Sequence, residues 1–133
     1  MTRAWLKAAG IVYVVAGSAL TLLSFVPPWL ERIDRLLVPG AAFPDVACRT
    51  YAGVAGGLTA GIGAMIVGLA TTCDSRGARA LAAGLGVWFV LDTTASLGHG
   101  AWPNAVGNVL FLAIGLVPLV RLGFGTGDGH ESL

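Results

Sequence analysis

The sequence predicts an all-α integral membrane protein: an antiparallel bundle of four transmembrane helices, with a short interfacial amphipathic helix between the first and second. Three observations carry this. Of the 133 residues, 56% are hydrophobic and only 11% charged, and mean hydropathy is +0.80. Soluble domains are about 25% charged, so this chain lacks the polar surface to coat a water-soluble globule. Four apolar stretches are each long enough for a bilayer core of ~30 Å, which takes about 20 residues. Charged residues lie between these stretches or near their ends, with Asp92 the exception. The net charge of +1 argues against a nucleic-acid partner.

The first span is Trp5–Val26. Arg3 and Lys7 ahead of an apolar run resemble a secretory signal, but Ala8–Val26 is longer than a typical signal core, so it is read as a transmembrane helix. Pro27-Pro28 ends it. Leu30, Ile33 and Leu37 then follow at i, i+3 and i+7, with Glu31, Arg32, Asp34 and Arg35 mostly turned away. That spacing predicts an amphipathic helix at the interface, opened by Pro28 and stopped by Pro39. It serves either as a solvated connector or as a lid.

The second span, Cys48–Thr71, carries Gly53, Gly57 and Gly61 at four-residue spacing, with Gly56 and Gly63 beside them. Small residues in this pattern let helix backbones approach closely in lipid. The stripe fits packing within the chain, the preferred reading, or a homo-oligomer contact through Gly53, Gly57 and Gly61. A short polar connection, Thr72–Gly77, leads to the third span, Arg79–Leu97. The turn Gly98–Pro103, anchored by Trp102, leads to the fourth, Asn104–Leu122. Short connections make consecutive helices antiparallel neighbours. The transmembrane domain is thus residues 1–123, and 124–133 form a Gly-rich polar tail expected to be disordered. Arg3, Lys7, Arg76, Arg79 and Arg121 fall on one side of the membrane, against Arg32, Arg35 and Arg49 on the other. The excess predicts a multi-pass protein of the cell membrane with both termini cytoplasmic.

Asp92 points to a site. A carboxyl in the hydrocarbon region costs about 2.5–3.5 kcal/mol even on lenient scales, and such residues usually face a bundle interior or cavity. It lies ~20 Å along the third span, in the outer half of the membrane. Ser96 and His99 follow on the same face at i+4 and i+7. Asn104 and Asn108 enter the fourth span at the same depth, and Arg49 and Tyr51 open the second. These residues predict an outward-opening pocket beneath the interfacial helix, with Trp88 and Tyr13 as lining; Ser18, Thr21 and Ser24 are weaker lining candidates.

Each has a plainer role open to it. The plainer readings are a structural ion pair between Asp92 and Arg49, a half-solvated interfacial side chain for His99, and a cap of the fourth helix for Asn104. Thr93 and Thr94 can bond carbonyls of their own helix. Asn108 is harder to dismiss, because a primary amide in lipid needs partners. No phosphate-binding glycine loop and no metal-ligand cluster is present in the sequence, and the only histidines are His99 and His130. Cys48 and Cys73 lie about 37 Å apart along one helix, far beyond disulfide reach, which excludes chemistry based on an intrachain cysteine pair.

The run Arg49-Thr-Tyr-Ala-Gly-Val-Ala-Gly-Gly-Leu-Thr-Ala-Gly-Ile-Gly resembles the second helix of small four-helix membrane proteins of the DoxX-like type, which enter this helix with an arginine followed by paired glycines. Phe89-Val-Leu-Asp-Thr-Thr-Ala-Ser-Leu is similar to their BphX-type relatives. Where many relatives carry Gly-Arg in the third helix and an acid in the fourth, this chain has Leu91-Asp92 and Asn108. The resemblance implies the four-helix layout. It also implies a partner class, since some relatives are accessory subunits of membrane oxidoreductases.

The expected function is cofactor-free acid–base chemistry on a lipophilic small molecule: an isomerisation, a cyclisation or an epoxide opening. Asp92 would be the acid or base, Asn108 and Asn104 would orient substrate, and His99 or Arg49 would tune the carboxyl. Tyr51, Ser96, Tyr13 and Trp88 would contact substrate. One carboxyl in a dry pocket suffices for proton transfer. The alternative is a non-catalytic accessory subunit or lipid-binding protein of a larger membrane complex.

Overall fold

In the computed structural model residues 2–125 are described, and they form five helices: α1 (Thr2–Leu23), α2 (Pro27–Leu37), α3 (Val46–Thr72), α4 (Ser75–Gly98) and α5 (Trp102–Phe124). All except α2 are long and apolar enough to cross a membrane. The described residues are therefore all-helical, with four membrane-competent helices. The expected tail lies outside the described residues from 126 onward, and Phe124, assigned to that tail, instead ends α5.

Local chemistry sets the helix ends. Pro27 and Pro28 open α2, where the missing N–H costs nothing. Asp45 caps α3 by accepting from the Cys48 N–H at 2.7 Å. Asp74 caps α4, accepting from Arg76 and Gly77 N–H groups, each at 3.0 Å. The expected connection Thr72–Gly77 thus shrinks to Cys73 and Asp74, because an aspartate cap worth about 1 kcal/mol starts α4 four residues before Arg79. Cys73 takes the left-handed conformation, φ 51°. Gly100, at φ 73°, turns the chain between α4 and α5, a conformation that a side chain would strain.

Packing joins α1 to α3 and α4 to α5 most extensively, with α1 against α5 linking the two pairs; α3 and α4 share little contact. Leu6, Tyr13, Ile66, Leu85 and Leu119 are fully buried at the centre. The helix α2 lies on α1 and α5 through buried Leu30. Its outer face carries a Glu31–Arg35 ion pair at 2.5 Å and Arg32 over the Trp29 ring at 4.8 Å. Partial burial raises the Asp34 carboxyl above its ordinary value, a shift that the Cys48 thiol opposes by donating to it at 3.6 Å.

The small-residue contact differs from the expected one. A Cβ on Gly63 would lie 2.6 Å from the Gly10 carbonyl oxygen, and one on Gly56 would lie 2.5 Å from that of Gly17. A Cβ on Gly53 would meet only the Ser24 side chain, and one on Gly57 or Gly61 would meet nothing within 4 Å. The α1–α3 seam is therefore built from Gly10, Gly17, Gly56 and Gly63. The reason is angular. Residues seven apart stay within about 20° of one another on a helix, whereas each four-residue step drifts by about 40°.

Candidate functional site

Asp92 continues an inward row of α4. Leu85 is buried, Leu81 and Trp88 pack against the same core, and Asp92 and Ser96 follow at helical spacing. Across from them α5 presents Ala105, Asn108, Leu112, Gly115 and Leu119, of which Asn108 is only 6% exposed. Two polar links join these rows. The Asn108 amide donates to Asp92 Oδ2 at 2.6 Å and to Thr93 Oγ1 at 3.3 Å. One turn nearer the loop, the Asn104 amide donates to Ser96 Oγ at 2.8 Å.

The register explains both links. Ser96 and Asn104 are each four residues from Gly100, Asp92 and Asn108 each eight, and Leu85 and Gly115, also in contact, each fifteen. That signal was present in the sequence. With the turn centred at Gly100, residues at equal distances on either side face one another. Thr93 is a partner that spacing within its own helix does not reveal. Asn104 does not cap α5, whose N-cap is Ala101 with no side-chain hydrogen bond.

Other expected site residues lie elsewhere. Tyr13 is 1% exposed and sits in the core. Its hydroxyl donates to the Phe111 carbonyl at 2.5 Å, and its ring meets Phe111 edge-on at 5.2 Å. A phenol in a membrane interior needs such an acceptor, and α5 offers one, so Tyr13 locks α1 to α5 rather than lining an outer pocket. Tyr51 is 74% exposed, on a face of α3 turned away from the neighbouring helices. His99 is exposed at the end of α4, its backbone N–H donating to Ala95 and Leu97 carbonyls. Trp88 is half-buried against the core. Ser18 is exposed.

Arg49 departs most from expectation. Among the described residues the only ion pair is Glu31–Arg35, so Arg49 makes none with Asp92. Depth placed the two side chains in one layer, but α3 packs on α1 and α4 packs on α5, which puts them on different helix pairs. Arg49 lines a crevice of about 460 Å³ at the end of the α1–α3 seam, with Thr21, Ser24, Phe25, Val46, Thr50, Gly53 and Val54. Its Nε is the one buried side-chain polar atom without a hydrogen-bond partner among the described residues. Leaving a buried donor unpaired costs about 1–3 kcal/mol, more for a charged group. A second, almost wholly apolar groove of about 480 Å³ runs between α3 and α4, bordered by Met65, Gly68, Leu69, Ala80, Leu81 and Gly84. Asp92 borders neither cavity.

Chemically, the α4–α5 interface holds a half-buried carboxyl by one oxygen. Among the described residues no donor reaches Asp92 Oδ1. That oxygen can exchange a proton or accept a hydrogen bond, while Asn108 fixes the group in place.

Comparison with protein-family models, with curated proteins and with solved structures finds no match to this chain.

Proposed function

We propose that this chain is a cell-membrane protein of four antiparallel spans with cytoplasmic termini, in the DoxX-like layout, that acts on a lipophilic small molecule by cofactor-free proton transfer. The observation that carries the proposal is the half-buried Asp92 carboxyl on the inward row of α4, anchored at Oδ2 by Asn108 with Oδ1 left free. A catalytic acid or base needs to be held without being saturated. Asn108 orients the carboxyl, Thr93 orients Asn108, and the Ser96–Asn104 pair offers further polar contacts one turn outward. Reactions within this reach move a proton without a redox change: isomerisation, cyclisation or epoxide opening.

The test uses the purified chain in lipid nanodiscs incubated with a lipophilic extract of the producing organism, with products followed by mass spectrometry. Wild type is expected to convert one component to an isomer or to its hydrate. Asp92→Asn, whose amide oxygen still accepts from Asn108, is expected to fold and bind but lose the conversion. Conversion at the wild-type rate in Asp92→Asn removes the carboxyl from the chemistry.

A second reading rests on a different observation: among the described residues, a Cβ on Gly57 or Gly61 would meet no atom within 4 Å, and nothing covers the α3–α4 groove. An accessory subunit of a larger membrane complex presents such faces to its partner. Co-purification of a stoichiometric membrane enzyme in mild detergent, abolished by Gly61→Trp, is its expected outcome.

A further inference from the structure

We propose that the crevice between α1 and α3 binds the phosphate headgroup of an anionic membrane phospholipid through Arg49, at a site separate from Asp92. The charge balance is the first ground. Arg35 is paired with Glu31, while Arg32, Arg79 and Arg121 lie over the rings of Trp29, Phe124 and Trp5. Among the described residues Arg49 has no such partner, although its Nε is shut off from solvent. The nearby acids are committed: Asp45 Oδ1 caps Cys48, Asp34 Oδ2 accepts from the Cys48 thiol, and neither forms an ion pair with Arg49.

The crevice lining is the second ground. Thr21 donates its hydroxyl hydrogen to the Gly53 carbonyl, Ser24 to the Thr21 carbonyl and Thr50 to the Val46 carbonyl. With those hydrogens used, the guanidinium is the side-chain donor left for a ligand, and it selects an acceptor-rich, negatively charged group. Arginine meets phosphate oxygens in a planar two-point geometry.

Position is the third ground, and it favours a lipid over a free ion. The crevice lies at the start of α3, where the apolar span begins, and Phe25, Val46 and Val54 on its walls are exposed. A headgroup seated at Arg49 can lay an acyl chain along those side chains.

The experiment is native mass spectrometry of the full chain in detergent, titrated separately with dioleoyl phosphatidylglycerol, dioleoyl phosphatidylcholine and inorganic phosphate. Phosphatidylglycerol is expected to be retained about tenfold more tightly than phosphatidylcholine, with inorganic phosphate not retained. Arg49→Gln should erase that preference and Arg49→Lys should keep part of it. Arg32→Gln and Asp92→Asn should leave it intact, which separates this site from the proposed chemistry. Thr50→Trp, an exposed rim substitution that fills the crevice without altering its charge, should reduce retention whether or not Arg49→Gln folds. A preference that survives Arg49→Gln or Thr50→Trp overturns the site. Equal loss in Arg32→Gln shows diffuse surface charge instead, and inorganic phosphate bound as tightly as the lipid shows a free-anion site; either result also overturns it.

Discussion

Asn108 holds the polar centre of the α4–α5 interface. Its single amide nitrogen donates to both Asp92 and Thr93. Removing it leaves two acceptors on α4 without that donor and a small void on α5. Asn108→Ala is expected to destabilise the folded protein by about 1–3 kcal/mol. A double-mutant cycle with Asp92→Ala should return a coupling of about 0.6 kcal/mol, the average for polar pairs between membrane helices, and no more than about 1.7 kcal/mol. Chemical denaturation in mixed micelles measures it. A coupling near zero means that the 2.6 Å contact does not hold the helices together. Tyr13 illustrates the same principle in the core, since its hydroxyl ends on a backbone carbonyl of a different helix. A polar atom in an apolar interior is stable only where another element supplies its partner, and that partner cannot be read from the residue's own helix.

At the level of helices, the α1–α3 seam depends on missing side chains. Without Cβ atoms, Gly10 and Gly17 let α1 lie on Gly63 and Gly56. Gly56→Ala and Gly63→Ala must push backbones apart, and each is expected to cost about 1–3 kcal/mol. Gly57→Ala and Gly61→Ala meet no atoms and should be neutral, or stabilising by up to about 1 kcal/mol through helix propensity. Thermal unfolding of the four variants in one detergent separates the two sets. Equal losses in both would place the seam on the wrong face of α3. The existence of the short helix α2 was legible, because its apolar residues, flanking prolines and charged face all agree, although it starts at Pro27 and ends at Leu37. Asp74 was a missed signal: an aspartate before the apolar run starts α4 earlier than hydropathy alone indicates.

Across the whole molecule, Cys48 and Cys73 mark opposite ends of α3 and give a direct measure of orientation. With cytoplasmic termini, a membrane-impermeant maleimide applied to intact cells should label Cys48, which is exposed, and spare Cys73. Labelling should vanish in Cys48→Ser and persist in Cys73→Ser. The reverse pattern would invert the proposed topology. The number of membrane-competent helices and their approximate limits were readable from composition and run length. The grouping of polar residues into one layer was only partly informative. Depth along a helix follows from residue count, but Arg49 and Asp92, which that count assigns to one layer, sit on different helix pairs. Asn108 and Asp92 were recoverable as a pair from their equal distance to Gly100, since a tight turn fixes the register of the two helices it joins.

Hydropathy and charge placement alone indicate a helical chain with four segments suited to lipid, a short amphipathic helix between the first two, and an acid within an apolar run that requires company. Those properties are local: each depends on a window of about 20 residues and its transfer from water to hydrocarbon. Its amide partner follows from the register about Gly100, but the exclusion of Arg49 from that company came only from the packed molecule. Which helices are neighbours is decided by shape, with glycines admitting α1 to α3 and Tyr13 tying α1 to α5. In lipid, apolar side chains bury equally well against any neighbour, so hydrophobicity cannot choose among arrangements. Close fit and a few hydrogen bonds make that choice. Here they give Asp92 an amide and leave Arg49 in a crevice of its own.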